Sequence, residues 1–267
     1  MSNKRGKMLE YVRAGRTLDY LPVIDFHTHL GKACGHYYIP ENATDKVVAT
    51  MDRIGINHIV TFTIGVNTDV ETGNEYQYNA VKQHPDRISA LSMLHAGYPQ
   101  DWLPILKNGH ENNSRGIKLI SAYQAAGSET GIDWSQAFDY ARGKNWVILN
   151  HNWGSHDRLR DYAKNFPDVT FIIGHGDRGN GALIREFDNV YQCTCASFVV
   201  CYCASIVELY NTVPLEKILY GSDCLDLDFG TAIGSLAYAD IPEPAKEKII
   251  GGNALQLIQK LQWDLPL

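Results

Sequence analysis

Val23-Ile-Asp-Phe-His-Thr-His-Leu-Gly31 begins as a short apolar strand and closes on two histidines, His27 and His29, two residues apart. Along a strand, residues i and i+2 share a side, with Cα atoms roughly 6.5–7 Å apart. Imidazoles that close can converge on one metal ion at Zn–N distances of roughly 2.0–2.1 Å. A lone His-x-His is more often solvated or hydrogen-bonded, so its weight depends on what recurs later in the chain. The pattern does recur. The apolar stretch 146–149 runs into Asn150 and His151, 171–173 into Gly174 and His175, and 218–220 into Gly221, Ser222 and Asp223. Continuous apolar runs without alternation are what parallel strands covered on both faces look like. Chemistry placed just beyond the C-terminal ends of such strands is the habit of α/β barrels and open α/β sheets.

Working outward, eight apolar runs stand at 23–26, 58–63, 88–94, 116–119, 146–149, 169–173, 190–194 and 218–220. Helical patterns separate most of them, clearest at 45–54, 75–84, 134–142, 156–165 and 205–210. Thr44 and Asp133 are expected N-caps, and Gly55 and Gly143 expected C-caps. Residues 254–261 read as a last amphipathic helix. Strand and helix alternating eight times predicts a single (β/α)8 TIM barrel with its site at the C-terminal ends of the strands. A chain of 267 residues suits one such domain, with residues 1–20 as an N-terminal extension. The histidines play no part in the strand count, yet the first, fifth, sixth and eighth runs would bring His27, His29, His151, His175 and Asp223 to one rim.

Bulk properties remove several function classes. Net charge is −6, without a Lys/Arg cluster of the size nucleic acid requires. The densest basic stretch, at the N-terminus, reads as a solvated, partly frayed end. Neither a secretory h-region nor a membrane span is legible, which makes the expected location cytoplasmic and excludes a membrane role. Six cysteines, at 34, 193, 195, 201, 203 and 224, lack zinc-ribbon spacing and read as ordinary buried thiols in a reducing compartment.

The set IDFHTHLG, GIKL, HNW, GHGD, GSDC and GGNALQLI, in this order from about Val23 to Leu261, resembles the metal-dependent hydrolases of the amidohydrolase superfamily. The branch it looks most like also holds non-oxidative decarboxylases of aromatic and muconic acids, lactonases and hydratases. The resemblance implies His27, His29, His151 and Asp223 as ligands of one divalent transition metal. Zinc is the first choice; Mn²⁺, Fe²⁺, Co²⁺ and Ni²⁺ suit the same donors. A bound metal lowers the pKa of water to about 7; Asp223 would take its proton and His175 would polarise the substrate or donate a proton. Lys118, in GIKL, either holds an anionic substrate group or, carboxylated, bridges a second metal, the less favoured of the two. Each residue also has a plainer reading: His151 as an interior histidine, His175 as a loop between glycines, Asp223 as a helix cap.

Substrate readers are expected on the loops: residues 36–38, 67–69, His95, Ser121, Tyr123, Gln124 and Arg178, the last as a carboxylate clamp. The leading expectation is hydrolysis of a small amide, ester or lactone. A decarboxylase or hydratase on the same site is the alternative, and a binding barrel without turnover the third. The partner is a small molecule, with a carboxylate substrate and a homo-oligomer both compatible with the resemblance.

Overall fold

The computed structural model describes residues 6–31, 43–63, 69–124, 129–176, 179–195 and 203–267. Its strands are β1 (Ile24–Leu30), β2 (His58–Thr63), β3 (Ile88–Ala90), β4 (Ser92–Met93) and β5 (Gly116–Leu119). They continue with β6 (Val147–Asn150), β7 (Thr170–Ile173), β8 (Val190–Cys193) and β9 (Ile218–Leu219). Every pairing is parallel, in two sheets ordered β1-β2-β3 and β4-β5-β6-β7-β8-β9. All eight apolar runs therefore carry strand, as a TIM barrel requires.

The third run departs from expectation by dividing in two. Leu91 N–H still donates to Thr61 O of β2 (2.9 Å), whereas Ser92 and Met93 pair with Ile117 and Lys118 of β5. Here the chain changes partner, and the Ser92 N–H is held across the break by Ser114 Oγ at 3.1 Å. A second irregularity lies in β1, whose register on β2 shifts between Asp25 and Thr28. Phe26 and His27 turn to the last strand instead. Phe26 N–H donates to Tyr220 O (2.9 Å), and His27 O accepts from Asp223 N–H (2.9 Å). Thr28 forms a parallel bridge to Cys224. The first and last strands thus meet where both carry chemistry.

Helices connect most of the strands on the outside, and their starts correct three expectations. Trp134 and not Asp133 is the N-cap of Ser135–Ala141, although Asp133 Oδ1 accepts from Ser135 N–H at 3.0 Å. Thr44 is the first helical residue of Thr44–Ile54 rather than its cap, which is Ala43. The helix expected from residue 75 begins at Val70, because Asp69 accepts a hydrogen bond from Thr72 N–H at 2.9 Å and caps it there. Gly55 ends the first of these helices with φ of 96°, as expected of a left-handed C-cap. The basic N-terminus is not simply solvated. Lys7–Arg13 is a helix whose Met8 and Leu9 are buried against 229–238 and 243–247, with Met8 N–H donating to Glu243 Oε1 at 2.6 Å. The apolar Met-Leu pair outweighs the flanking charge. Among the described residues, no helix is long and apolar enough to cross a membrane.

Candidate metal centre

β1 is buried along its whole length, Asp25, His27 and His29 included. A charged and imidazole-bearing strand tolerates this only where its polar groups find partners or a ligand. Facing it, Asp223 follows β9 with φ of 64°, a left-handed conformation that Asp adopts more readily than most residues. Its Oδ1 lies 2.9 Å from His29 Nε2 and 3.3 Å from His27 Nε2. A tetrahedral centre with bonds of roughly 2.0–2.1 Å separates neighbouring ligand atoms by roughly 3.3–3.4 Å. The triad thus has the donor types of a divalent-metal site, with the His27–Asp223 pair at ligand spacing and the His29–Asp223 pair at hydrogen-bond distance. The Nδ1 atoms of His27 and His29 are buried without a hydrogen-bond partner among the described residues. Such atoms cost roughly 1–3 kcal/mol each while unsatisfied, and an ion held on the Nε2 side, facing Asp223, would not relieve them.

His175 and Cys195 stand against the same histidine. A ring nitrogen of His27, one of His175 and Cys195 Sγ also lie within 4.8 Å of one another. His175 Nδ1 is 3.6 Å from the thiol, and its Nε2 is 2.7 Å from His151 Nδ1. His151 belongs to neither three-residue group and reaches the cluster through His175. Lys118, from β5, is fully buried, its Nζ 3.4 Å from His27 Nε2 and 4.1 Å from the centre of the Phe62 ring. Burial, then the Lys118 charge, holds His27 well below its ordinary pKa. The same two causes lower His175 to about 4. Burial lowers Lys118 itself to about 8. Burial pushes the Asp223 carboxyl up, but the hydrogen bond and charge of His29, with His175 and Cys195, outweigh it and keep the group an anion.

Asp25 and Gly221 brace this arrangement. Asp25 Oδ1 accepts from His27 N–H and from Ser222 N–H, each at 3.1 Å, and so ties β1 to the segment carrying Asp223. A methyl at Gly221 would stand 2.7 Å from His27 Cβ and 3.3 Å from Cys195 Cβ, closer still to Cys193 Sγ, so only glycine lets these residues approach. At the next interval Gly174 N–H donates to Asn150 O at 2.9 Å, which sets His175 beside His151. A cavity of about 400 Å³ opens next to this pair, lined by His151, Trp153, Ser155, His156 and Asn180 among others.

The sequence reading missed Asp25 and Cys195. Both had a signal: Asp25 is a charge inside an apolar run, and Cys195 stands just past the end of β8, where the other strands carry their chemistry. Several expected substrate readers are structural pins. Ser121 donates to Glu129, which also accepts from Trp134 Nε1 (2.8 Å) and Asn150 Nδ2 (3.1 Å). Gln124 bonds Ala96 N–H (2.9 Å) and Leu94 O (3.0 Å), while His95 Nδ1 accepts from Gly97 N–H at 3.0 Å. Asp69 caps a helix. The Tyr123 side chain, Arg178 and residues 36–38, 67 and 68 lie outside the described residues.

A family model for the amidohydrolases, Amidohydro_2, matches residues 24–259. The chain belongs to the amidohydrolase family. Solved structures agree with this amidohydrolase in fold. An uncharacterised TIM-barrel protein from Bordetella bronchiseptica has a TM-score of 0.72 at 15% identity, over 91% of this chain and 100% of its own. A dihydroxybenzoic acid decarboxylase from a Polaromonas species, with bound manganese and the inhibitor 2-nitroresorcinol, scores 0.67 at 14% identity, over 90% and 97%. A probable 2-pyrone-4,6-dicarboxylic acid hydrolase from Acinetobacter baumannii, with citric acid bound, scores 0.66 at 15% identity, over 90% and 100%. No curated protein matches the amidohydrolase in sequence.

Proposed function

We propose that this amidohydrolase is a metal-dependent enzyme that removes the carboxyl group of a small unsaturated or aromatic carboxylic acid without an oxidant. Lys118 carries the reading. Among the described residues its buried ammonium has no carboxylate within ion-pair distance, and its nearest polar neighbour is a metal-site histidine. A buried charge without a counter-ion costs several kcal/mol. A carboxylate substrate supplies that counter-ion; a neutral amide or ester leaves it missing.

His27, His29 and Asp223 would hold the divalent metal, with His151 a further ligand once it turns from His175. Bound there, the metal supplies electrophilic stabilisation of negative charge on substrate oxygen. Lys118 orients the acid. The bond from the ring or alkene carbon to the carboxyl breaks, CO₂ leaves, and the electron pair on carbon takes a proton. His175 is the group placed to deliver it, with the adjoining cavity as the substrate seat. An anionic substrate beside the two histidines raises their affinity for that proton. The family's manganese-bound decarboxylase supports the reading by its bound nitroresorcinol, an aromatic ring with polar substituents.

Hydrolysis of a carboxylated lactone is the second reading. The Asp223 carboxylate, set between two imidazoles, suits a site that activates water. Metal-loaded protein incubated with hydroxybenzoates, unsaturated diacids and carboxylated lactones in ¹⁸O-water decides between them. CO₂ without ¹⁸O in the organic product supports decarboxylation. ¹⁸O incorporation without CO₂ refutes it in favour of hydrolysis, and turnover of neutral amides alone refutes both.

A further inference from the structure

We propose that Cys195 is a sulfur donor to the metal centre, so that this chain binds its metal through nitrogen, oxygen and thiolate. The proposal rests on the reading of His27, His29 and Asp223 as a metal site, and its observations lie outside that triad. Cys195 Sγ and one ring nitrogen each of His175 and His27 form a second group whose donor atoms all lie within 4.8 Å, and the two groups share His27. The S···N distance to His175 Nδ1 is 3.6 Å. A tetrahedral centre with a metal–sulfur bond of about 2.3 Å and a metal–nitrogen bond of about 2.0–2.1 Å separates S and N by roughly 3.6 Å.

The surroundings are built for this sulfur. Cys195 is fully buried, and its backbone is pinned on both sides: its O accepts from Gly176 N–H (2.9 Å) and its N–H donates to Cys193 Sγ (3.3 Å). The missing side chain at Gly221 leaves the gap through which Cys195 and His27 approach. His175 stands beside this sulfur and keeps its link to His151. Its Nε2 is 2.7 Å from His151 Nδ1, and its Nδ1 is the ring nitrogen on the side of the thiol. Cys193 and Cys224 are buried too, but neither belongs to a donor group among the described residues. When the metal binds, the S–H bond gives way to an S–metal bond and the proton leaves to solvent. Thiolate is a soft ligand, so the centre favours zinc, cobalt or cadmium over manganese, which prefers oxygen donors.

Cobalt(II) reads this directly. Metal-free full-length protein is titrated with Co²⁺ and followed in the visible, where d–d bands report binding, and in the near ultraviolet, where a sulfur-to-cobalt charge-transfer band reports thiolate ligation. The wild type is expected to show both. Cys195→Ser is expected to lose the charge-transfer band, Cys193→Ser to keep it. Affinity for cadmium relative to manganese should fall in Cys195→Ser by at least the roughly 10- to 100-fold that loss of an outer partner costs. X-ray absorption of the zinc-loaded wild type, which needs no variant to fold, should show a sulfur shell at about 2.3 Å. Stoichiometric d–d bands without charge transfer, or a zinc spectrum without sulfur, overturn the proposal and leave the His/Asp centre standing. Absence of any cobalt or zinc binding overturns the metal site itself.

Discussion

Asp25 offers the sharpest test of how the centre is held. Its Oδ1 is the acceptor for two buried backbone donors, His27 N–H and Ser222 N–H, both at 3.1 Å. Asp25→Ala removes the acceptor and strands both donors in a region without solvent. Each stranded donor costs about 1–3 kcal/mol, so the pair is worth roughly 2–6 kcal/mol. Asp25→Asn keeps an oxygen in the same place and puts an amide N–H₂ where Oδ2 is buried without a partner. Neither variant ionises there, so their difference sets the two hydrogen bonds that Asn keeps against its own stranded amide, about 1–3 kcal/mol, free of the cost of burying a carboxylate. With a denaturant slope of roughly 3 kcal/mol/M in urea, the remaining gap of about 2 kcal/mol separates the two midpoints by about 0.7 M. Circular dichroism and tryptophan fluorescence should give coincident transitions if this arithmetic applies. Metal stoichiometry should follow the same order, Asn above Ala, because the two donors position His27 and Asp223. Equal midpoints for Ala and Asn would refute the clamp.

Four further outcomes follow from the same geometry. His58 is buried with Nε2 on Ser89 Oγ (2.9 Å), and burial lowers its pKa to about 4 from an unfolded value near 6.5. The unfolded chain takes up this proton first as pH falls, so stability held above pH 6.5 is lost between 6.5 and 4, by about 3 kcal/mol; urea midpoints across this range should slope less in His58→Gln than in the wild type. Lys118→Met should leave stability unchanged or raised, since replacing a buried ion by a matched apolar group is often neutral or gains roughly 1–4 kcal/mol. Its KM for a carboxylate substrate should rise by 30-fold or more, the equivalent of roughly 2–5 kcal/mol for a buried charge pair. Gly221→Ala should lower stability by about 1–3 kcal/mol and deplete metal measured by elemental mass spectrometry, because the new methyl forces His27 and Cys195 apart. His27→Ala/His29→Ala should remove the metal, and unchanged content in that double variant would contradict the assigned centre.

Much of the barrel was legible because its strands are buried on both faces, which writes them as unbroken apolar runs such as 169–173 and 190–194. The break at Leu91 was not, since Ile88 to Leu94 is apolar enough to continue and only its change of hydrogen-bond partner, from Thr61 to the β5 side, divides it. Strand-end position identified His27, His29, His175 and Asp223, which the structure brings together. That same rule applied to Cys195, but the thiol was weighed by its spacing from Cys193 instead of by its place after β8. Lys118 was visible as a lysine in an apolar strand; its contact with His27 needed the neighbouring strands in place. Asp25 was hidden because its work is done through backbone N–H groups, which no residue pattern records. Loop residues such as Gln124 and Ser121 resemble substrate readers in sequence, whereas the structure spends their polar groups on bracing Leu94 and Glu129.

The meeting of the first and last strands makes the centre a matter of chain order. His29 and Asp223 are 194 positions apart, so a metal bound to both closes a loop of most of the chain. Treated as a cross-link of that span, such a clip removes about 5 kcal/mol of unfolded-chain entropy. The two histidines precede by almost two hundred positions the carboxylate, just after β9, that completes the triad. An ion held there would be gripped in full only by a chain already folded end to end across that span, and its capture would double as the fastening of the first strand to the last.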